Sequence, residues 1–215
     1  MTERSSAMLA GERIAAEHGL RIPVVPFWVA NREGIEVIEK PTSGGVSGML
    51  LRSGDAFAIV YAAHVKNEGF QRFSVSHELG HYFLEGHIDH VLGAAGVHES
   101  RAGFTSRAAH EIEADEFAAG LLLPTAQFSK LVEDGEGLHA IESLAATCKT
   151  SLTATAIRYA QCAKDPIAVV MSNQDAIEFC SMSDSFKRLR GLTWLQRKES
   201  IPRRTATYSF AGDPS

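Results

Sequence analysis

Two histidines four residues apart, with a glutamate directly after the first, stand at His77, Glu78 and His81 in the string HELGH. On an α-helix, positions i and i+4 share a face, so both imidazoles can reach one metal ion at about 2.0–2.1 Å. Glu78 comes to lie beside that ion rather than on it. There a carboxylate can take a proton from a water whose pKa zinc lowers towards about 7. The neighbours Phe73, Leu79, Tyr82, Phe83 and Leu84 make this helix mostly buried, which argues against two histidines that merely face solvent.

A catalytic zinc needs three protein ligands and an open position. His87 stands six residues after His81, as in HExxHxxGxxH sites, but the glycine that turns the chain back in that pattern is replaced here by Leu84. Glu111 in HEIEADEFAAGLLLP is the stronger candidate. With Asp115 it forms an i, i+4 pair on a second helix. In such an E-x-x-x-D pair the Glu can bind metal while the Asp holds the outer nitrogen of a ligating His, which fixes its tautomer and ring orientation. Two acids on a helix are most often a solvated face. Here Ile112, Ala114, Phe117 and Ala118 line the same helix, so an acidic pair beside that stripe needs a partner. Glu111 is favoured, with His87 and Glu113 as the remaining choices.

The elements that must position these groups follow from periodicity. Met8, Leu9, Ile14 and Ala15 recur at helical spacing before Gly19, and Pro26 opens a short helix stopped by Gly34. Ile35 to Glu39, Met49 to Leu51 and Ala56 to Tyr61 read as three strands, the last two joined by a turn at Ser53-Gly54-Asp55. From Phe70 the period changes to three and four through Leu84, and Gly86 is expected to end that helix. Residues 87–107, rich in Gly, His and Ser, read as a loop, and a second long helix runs from about Ala108 to Leu123. Helices follow at Thr125–Val132, Leu138–Thr147 and Ser151–Gln161, the last N-capped by Ser151. A second hairpin spans Ile167–Met171 and Ala176–Cys180. Strands, then helices, then strands indicate α+β.

Composition bounds the function classes. With 21 basic and 26 acidic side chains the formal charge is −5, so the chain is not built to coat nucleic acid or an anionic membrane. Cys148, Cys162 and Cys180 form no CxxC pair and fit a reducing compartment. The polar first residues are no secretory signal, and FAAGLLL is far below the roughly 18 apolar residues of a membrane span. A soluble cytoplasmic protein without a membrane association is expected.

RFSVSHELGHYFL followed by EIEADEFAAGLLLP resembles the ImmA/IrrE family of bacterial zinc metallo-endopeptidases, over roughly Ile35 to Tyr159. The intervening HESRAGFTSRAAHE is similar to the loop of one branch of that family. The resemblance implies a minimal zincin-like, thermolysin-like core: a small, mainly antiparallel sheet and a helical bundle carrying the HExxH helix. It implies one Zn²⁺ per chain held by His77, His81 and Glu111, with Glu78 as general base. It further implies cleavage or inactivation of a helix-turn-helix repressor, in stress response or mobile-element control. The expected division is a peptidase domain over 1–165 and a carboxy-terminal hairpin with a basic tail over 166–215, too short for the complete sensor-like domain of some members.

Weaker signals complete the reading. Tyr61, His64, His87 and His110 are candidates for stabilising an oxyanion, and an edge of the Met49–Tyr61 hairpin could pair with an extended substrate. Leu138–Ala160 could be a helix-turn-helix, but with one Lys and one Arg it is better read as core. Direct nucleic-acid binding is therefore not expected. The basic stretch Lys187–Arg204 reads as a solvated tail or terminal helix. The competing function, from another class, is a metal-bound regulator that binds a repressor or DNA without cutting.

Overall fold

A computed structural model describes residues 5–93, 95–101, 108–132, 137–173, 175–192 and 195–212. It divides into two units, Glu3–Thr155 and Ala156–Ser215.

In the first unit, helix α1 (Ser6–Glu17) is N-capped by the Ser5 side chain, and α2 (Pro26–Arg32) begins with proline at its first turn. Strands β1 (Glu36–Lys40), β2 (Val46–Ser53) and β3 (Ala56–Ala62) lead into α3 (Glu68–Phe83), whose Asn67 cap accepts from the Phe70 N–H at 3.0 Å. A short α4 (His87–Val91), strand β4 (Val97–Arg101) and α5 (Ala109–Leu122) follow. Helices α6 (Thr125–Val132), α7 (Gly137–Cys148) and α8 (Leu152–Cys162) complete the helical part. Ser151 caps α8 through its hydroxyl, which accepts from the Ala154 N–H at 3.1 Å. The unit boundary falls within α8.

The four strands form one sheet in the order β1-β3-β2-β4, with β1 parallel to β3 and the other pairings antiparallel. This is the expected α+β fold with a small, mainly antiparallel sheet. One face of it packs on α3 through Leu50 and Ile59, both fully buried. Helix α3 in turn packs on α5, and α5 on α1. Two crossings are closed by glycine. A Cβ on Gly11 of α1 would come within 2.8 Å of the Leu121 nitrogen on α5, and one on Gly80 of α3 within 3.0 Å of Ala114 Cα on α5. The second contact sets how near the HELGH helix lies to the helix of Glu111.

Three expectations are corrected. Residues 87–107 are not loop throughout, since 87–91 are helical and 97–101 form β4; the expectation for 102–107 lies outside the described residues. Strand β4 has no apolar alternation because its inward positions, His98 and Ser100, are polar. The β2–β3 hairpin has no open edge, because β1 flanks β3 and β4 flanks β2; the sheet's edges are β1 and β4. Gly86 does not end the HELGH helix, which stops at Phe83, but with φ 78° it precedes α4.

The second unit is built on an antiparallel hairpin of β5 (Ala168–Asn173) and β6 (Ala176–Met182), followed by α9 (Asp184–Lys187) and α10 (Ala206–Gly212). The basic stretch is not a free tail. Its 198–201 portion bonds back to the hairpin, with the Ile177 N–H donating to Glu199 O and the Lys198 N–H to Ile177 O, and Ile201 is buried.

Candidate metal centre

Helix α3 brings His77, Glu78 and His81 to one place because its inward face is closed by packing. Val75 and Leu79 are fully buried, and His77, Glu78 and His81 are buried with them. Helix α5 supplies Glu111 from its first turn, where the helix dipole favours a carboxylate. The two imidazoles meet through their Nε2 atoms, 3.1 Å apart. Glu111 bridges them, with Oε2 3.4 Å from His77 Nε2 and Oε1 3.4 Å from His81 Nε2.

A fourth donor stands with these three. His98 of β4 places Nε2 3.1 Å from Glu111 Oε1, and its ring centroid lies 4.5 Å from that of His81. Donor atoms of His77, His81, His98 and Glu111 all fall within 4.8 Å of one another, so the cluster could hold a metal ion. Sequence reasoning did not single out His98. The signal open to it was histidine density, since six of the nine histidines fall between positions 77 and 110.

The outer nitrogens are held as well. His77 Nδ1 lies 2.8 Å from Asp115 Oδ1. His81 Nδ1 lies 3.2 Å from His87 Nδ1, and His87 Nε2 lies 2.9 Å from Glu113 Oε2. One tautomer satisfies this chain with His81 Nε2 free for a metal: His81 Nδ1–H donates to His87, and His87 Nε2–H donates to Glu113. His87 and Glu113, the rival third ligands, thus stand behind His81 and outside the donor cluster.

Of the other oxyanion candidates, Tyr61 donates its hydroxyl to Glu39 at 3.3 Å, and His64 faces the Thr42 N–H. Only His110 lies at the cluster, 3.5 Å from Glu111 Oε1, with its ring against His90 at 4.5 Å.

Glu78 is fully buried; no described group meets either carboxylate oxygen in standard hydrogen-bond geometry, although the Ser100 side chain stands close enough to favour its charged form. Gly48 makes the room for it: a Cβ there would lie 2.7 Å from Glu78 Oε1. Burial pushes the Glu78 carboxyl above its ordinary pKa. At His77 burial opposes a charge, but hydrogen bonds to Asp115 and Glu111 prevail and raise it to about 10. At His81 burial dominates and lowers it to about 4. Burial would also raise Glu111, yet His77, His81 and His98 hold it well below the usual carboxylate range. A buried, unpartnered carboxylate is costly unless another group completes its environment. The donor set, imidazole nitrogens with a carboxylate, suits zinc.

No curated protein matches the chain. A solved structure described as a Mycobacterium tuberculosis transcriptional regulator shares the fold, with a TM-score of 0.56 and 18% identity over 82% of this chain. The match covers 54% of that structure, so the chain spans about half its length. The IrrE N-terminal-like domain of the Peptidase_M78 family matches residues 30–159, well over half of the chain and both helices of the donor cluster. The chain belongs to that family.

Proposed function

We propose that the protein is a zinc-dependent endopeptidase that acts in the cytoplasm on a helix-turn-helix transcriptional repressor. The observation that carries the reading is Glu78, fully buried and, among the described residues, without a partner in standard hydrogen-bond geometry beside the converging donors of His77, His81 and Glu111. A metal site that served structure alone would not require a carboxylate there. The repressor as substrate rests on the family resemblance, and the three free cysteines suit a reducing compartment. No described helix is long and apolar enough to cross a membrane.

His77, His81 and Glu111 would hold the zinc. When bound, it supplies a Lewis acid that polarises the scissile carbonyl and acidifies a water. Glu78 takes the proton of the attacking water and delivers it to the leaving amine. Asp115 fixes the His77 ring, and the His87–Glu113 pair fixes the His81 ring. The outer edge of β4 carries no partner strand among the described residues, so an extended peptide can add to the sheet there, beside the cluster.

The test is Glu78→Gln. Glutamine keeps the shape but cannot accept the proton at neutral pH, and loss of a general base costs about 10²–10⁴-fold in rate. Wild type and Glu78→Gln are expressed beside a helix-turn-helix repressor encoded next to the gene, and the repressor's length and promoter release are followed. Shortening by wild type alone supports the peptidase. Equal promoter release by both proteins with the repressor intact shows a regulator that binds without cutting.

A further inference from the structure

The donor cluster contains one more ligand than a peptidase site uses. Catalytic zinc sites keep three protein ligands and one open position, whereas closed sites have four. For tetrahedral zinc with bonds of about 2.0–2.1 Å, donor atoms stand about 3.3–3.4 Å apart. The separations here are 3.1 Å for His77–His81, 3.4 Å for His77–Glu111 and for His81–Glu111, and 3.1 Å for His98–Glu111. His98 therefore stands from Glu111 as the accepted ligands stand from one another. Glu111 Oε1 is buried with imidazole nitrogens of His81, His98 and His110 at 3.1–3.5 Å, so three ring nitrogens converge on one carboxylate oxygen.

We propose that His98 is a fourth protein ligand of this centre and closes it in the resting protein. The inference rests on the reading that His77, His81 and Glu111 bind the metal. Three of the four donors sit on α3 and α5, whose separation is fixed by the close approach of Gly80 to Ala114. The fourth sits on β4, an edge strand paired along one side only among the described residues, with His98 opposite Leu50 of β2. His98 is thus the donor that can leave without unpacking the helices. Ser100 Oγ lies 3.2 Å from the same nitrogen and competes with a metal for it. An extended peptide that pairs with the free edge of β4 binds the element carrying this ligand, so substrate addition and the opening of a coordination position become one event. The exchange is of ligands alone: His98 Nε2 withdraws its lone pair and a water or carbonyl oxygen takes its place.

The test uses Co²⁺ bound to the full chain in place of zinc, in wild type, His98→Ala and the double variant His77→Ala/His81→Ala. Exchangeable imidazole N–H protons of histidines on Co²⁺ give hyperfine-shifted proton resonances that can be counted in wild type without any substitution. Three such resonances are expected, one each from His77, His81 and His98. The visible spectrum of wild type should not respond to azide, since four protein donors leave no position. His98→Ala should still take up one Co²⁺ and lose one resonance. Its affinity should fall by about tenfold or more, which is 1.4 kcal/mol, and its spectrum should shift with azide. Two resonances and an azide response in wild type, unchanged in His98→Ala, would overturn the proposal and leave the three-ligand site intact. Failure of wild type to bind Co²⁺ in excess of His77→Ala/His81→Ala overturns the metal reading itself, and this inference with it.

Discussion

Removing Asp115 tests whether the outer shell of the site works as its geometry implies. The carboxylate lies 2.8 Å from His77 Nδ1, and no other described group holds that nitrogen. In Asp115→Ala the ring regains rotational freedom and both tautomers, so part of the affinity is spent on orienting it. Hydrogen bonds involving a charged group contribute about 1.5–3 kcal/mol. Outer-shell partners of ligating histidines contribute about 10–100-fold in affinity, or 1.4–2.7 kcal/mol. The two ranges agree. Competition with a chromophoric chelator should therefore show the zinc Kd rising 10–100-fold. The apoprotein loses an ion pair too, so the thermal comparison is each variant's zinc-induced rise in Tm. At about 2–4 °C per kcal/mol for a chain of this size, that rise should shrink by about 3–11 °C. Asp115→Asn keeps a neutral acceptor and should fall between the two. A Kd for Asp115→Ala within twofold of wild type would show that His77 is oriented by packing alone, and the argument from its outer nitrogen would fail.

Two further substitutions probe how the site is positioned. Gly48→Ala puts a methyl 2.7 Å from Glu78 Oε1, so the carboxylate must move by roughly 0.5–1 Å to reach ordinary contact; cleavage should slow by about 10–100-fold with zinc occupancy kept. An unchanged rate would mean that the carboxylate position is not critical. Gly11→Ala drives a methyl into the α5 backbone, which cannot yield as a side-chain end can. Urea unfolding should show a loss of about 1–3 kcal/mol, and a loss under about 0.5 kcal/mol would show that α1 shifts freely on α5.

What could be read from the sequence was what helices encode locally. HELGH and the Glu111–Asp115 pair declare shared faces at i, i+4, and buried neighbours show which way those faces point. The β2–β3 hairpin declares itself through apolar runs around Ser53-Gly54-Asp55. Strand β4 did not, because VHESR has polar residues on the face turned towards the cluster, and periodicity detects apolar faces only. His98 was hidden with it. The parallel pairing of β1 with β3 and the stand of His87 behind His81 are products of tertiary packing, which no spacing in the chain records. The basic stretch was misread for a related reason: its 198–201 portion bonds through backbone groups, which side-chain charge does not report.

The central claim is a zinc site built on His77, His81 and Glu111, and the most direct measurement of it is metal content. Wild type and His77→Ala/His81→Ala are purified from cells grown with zinc, dialysed against a weak chelator and analysed by elemental mass spectrometry, with circular dichroism to confirm that both are folded. The account predicts about one zinc per wild-type chain and, with both imidazoles of the HELGH helix removed, close to none in the folded double variant. Full zinc occupancy in the folded double variant, or no zinc in either protein, would contradict it.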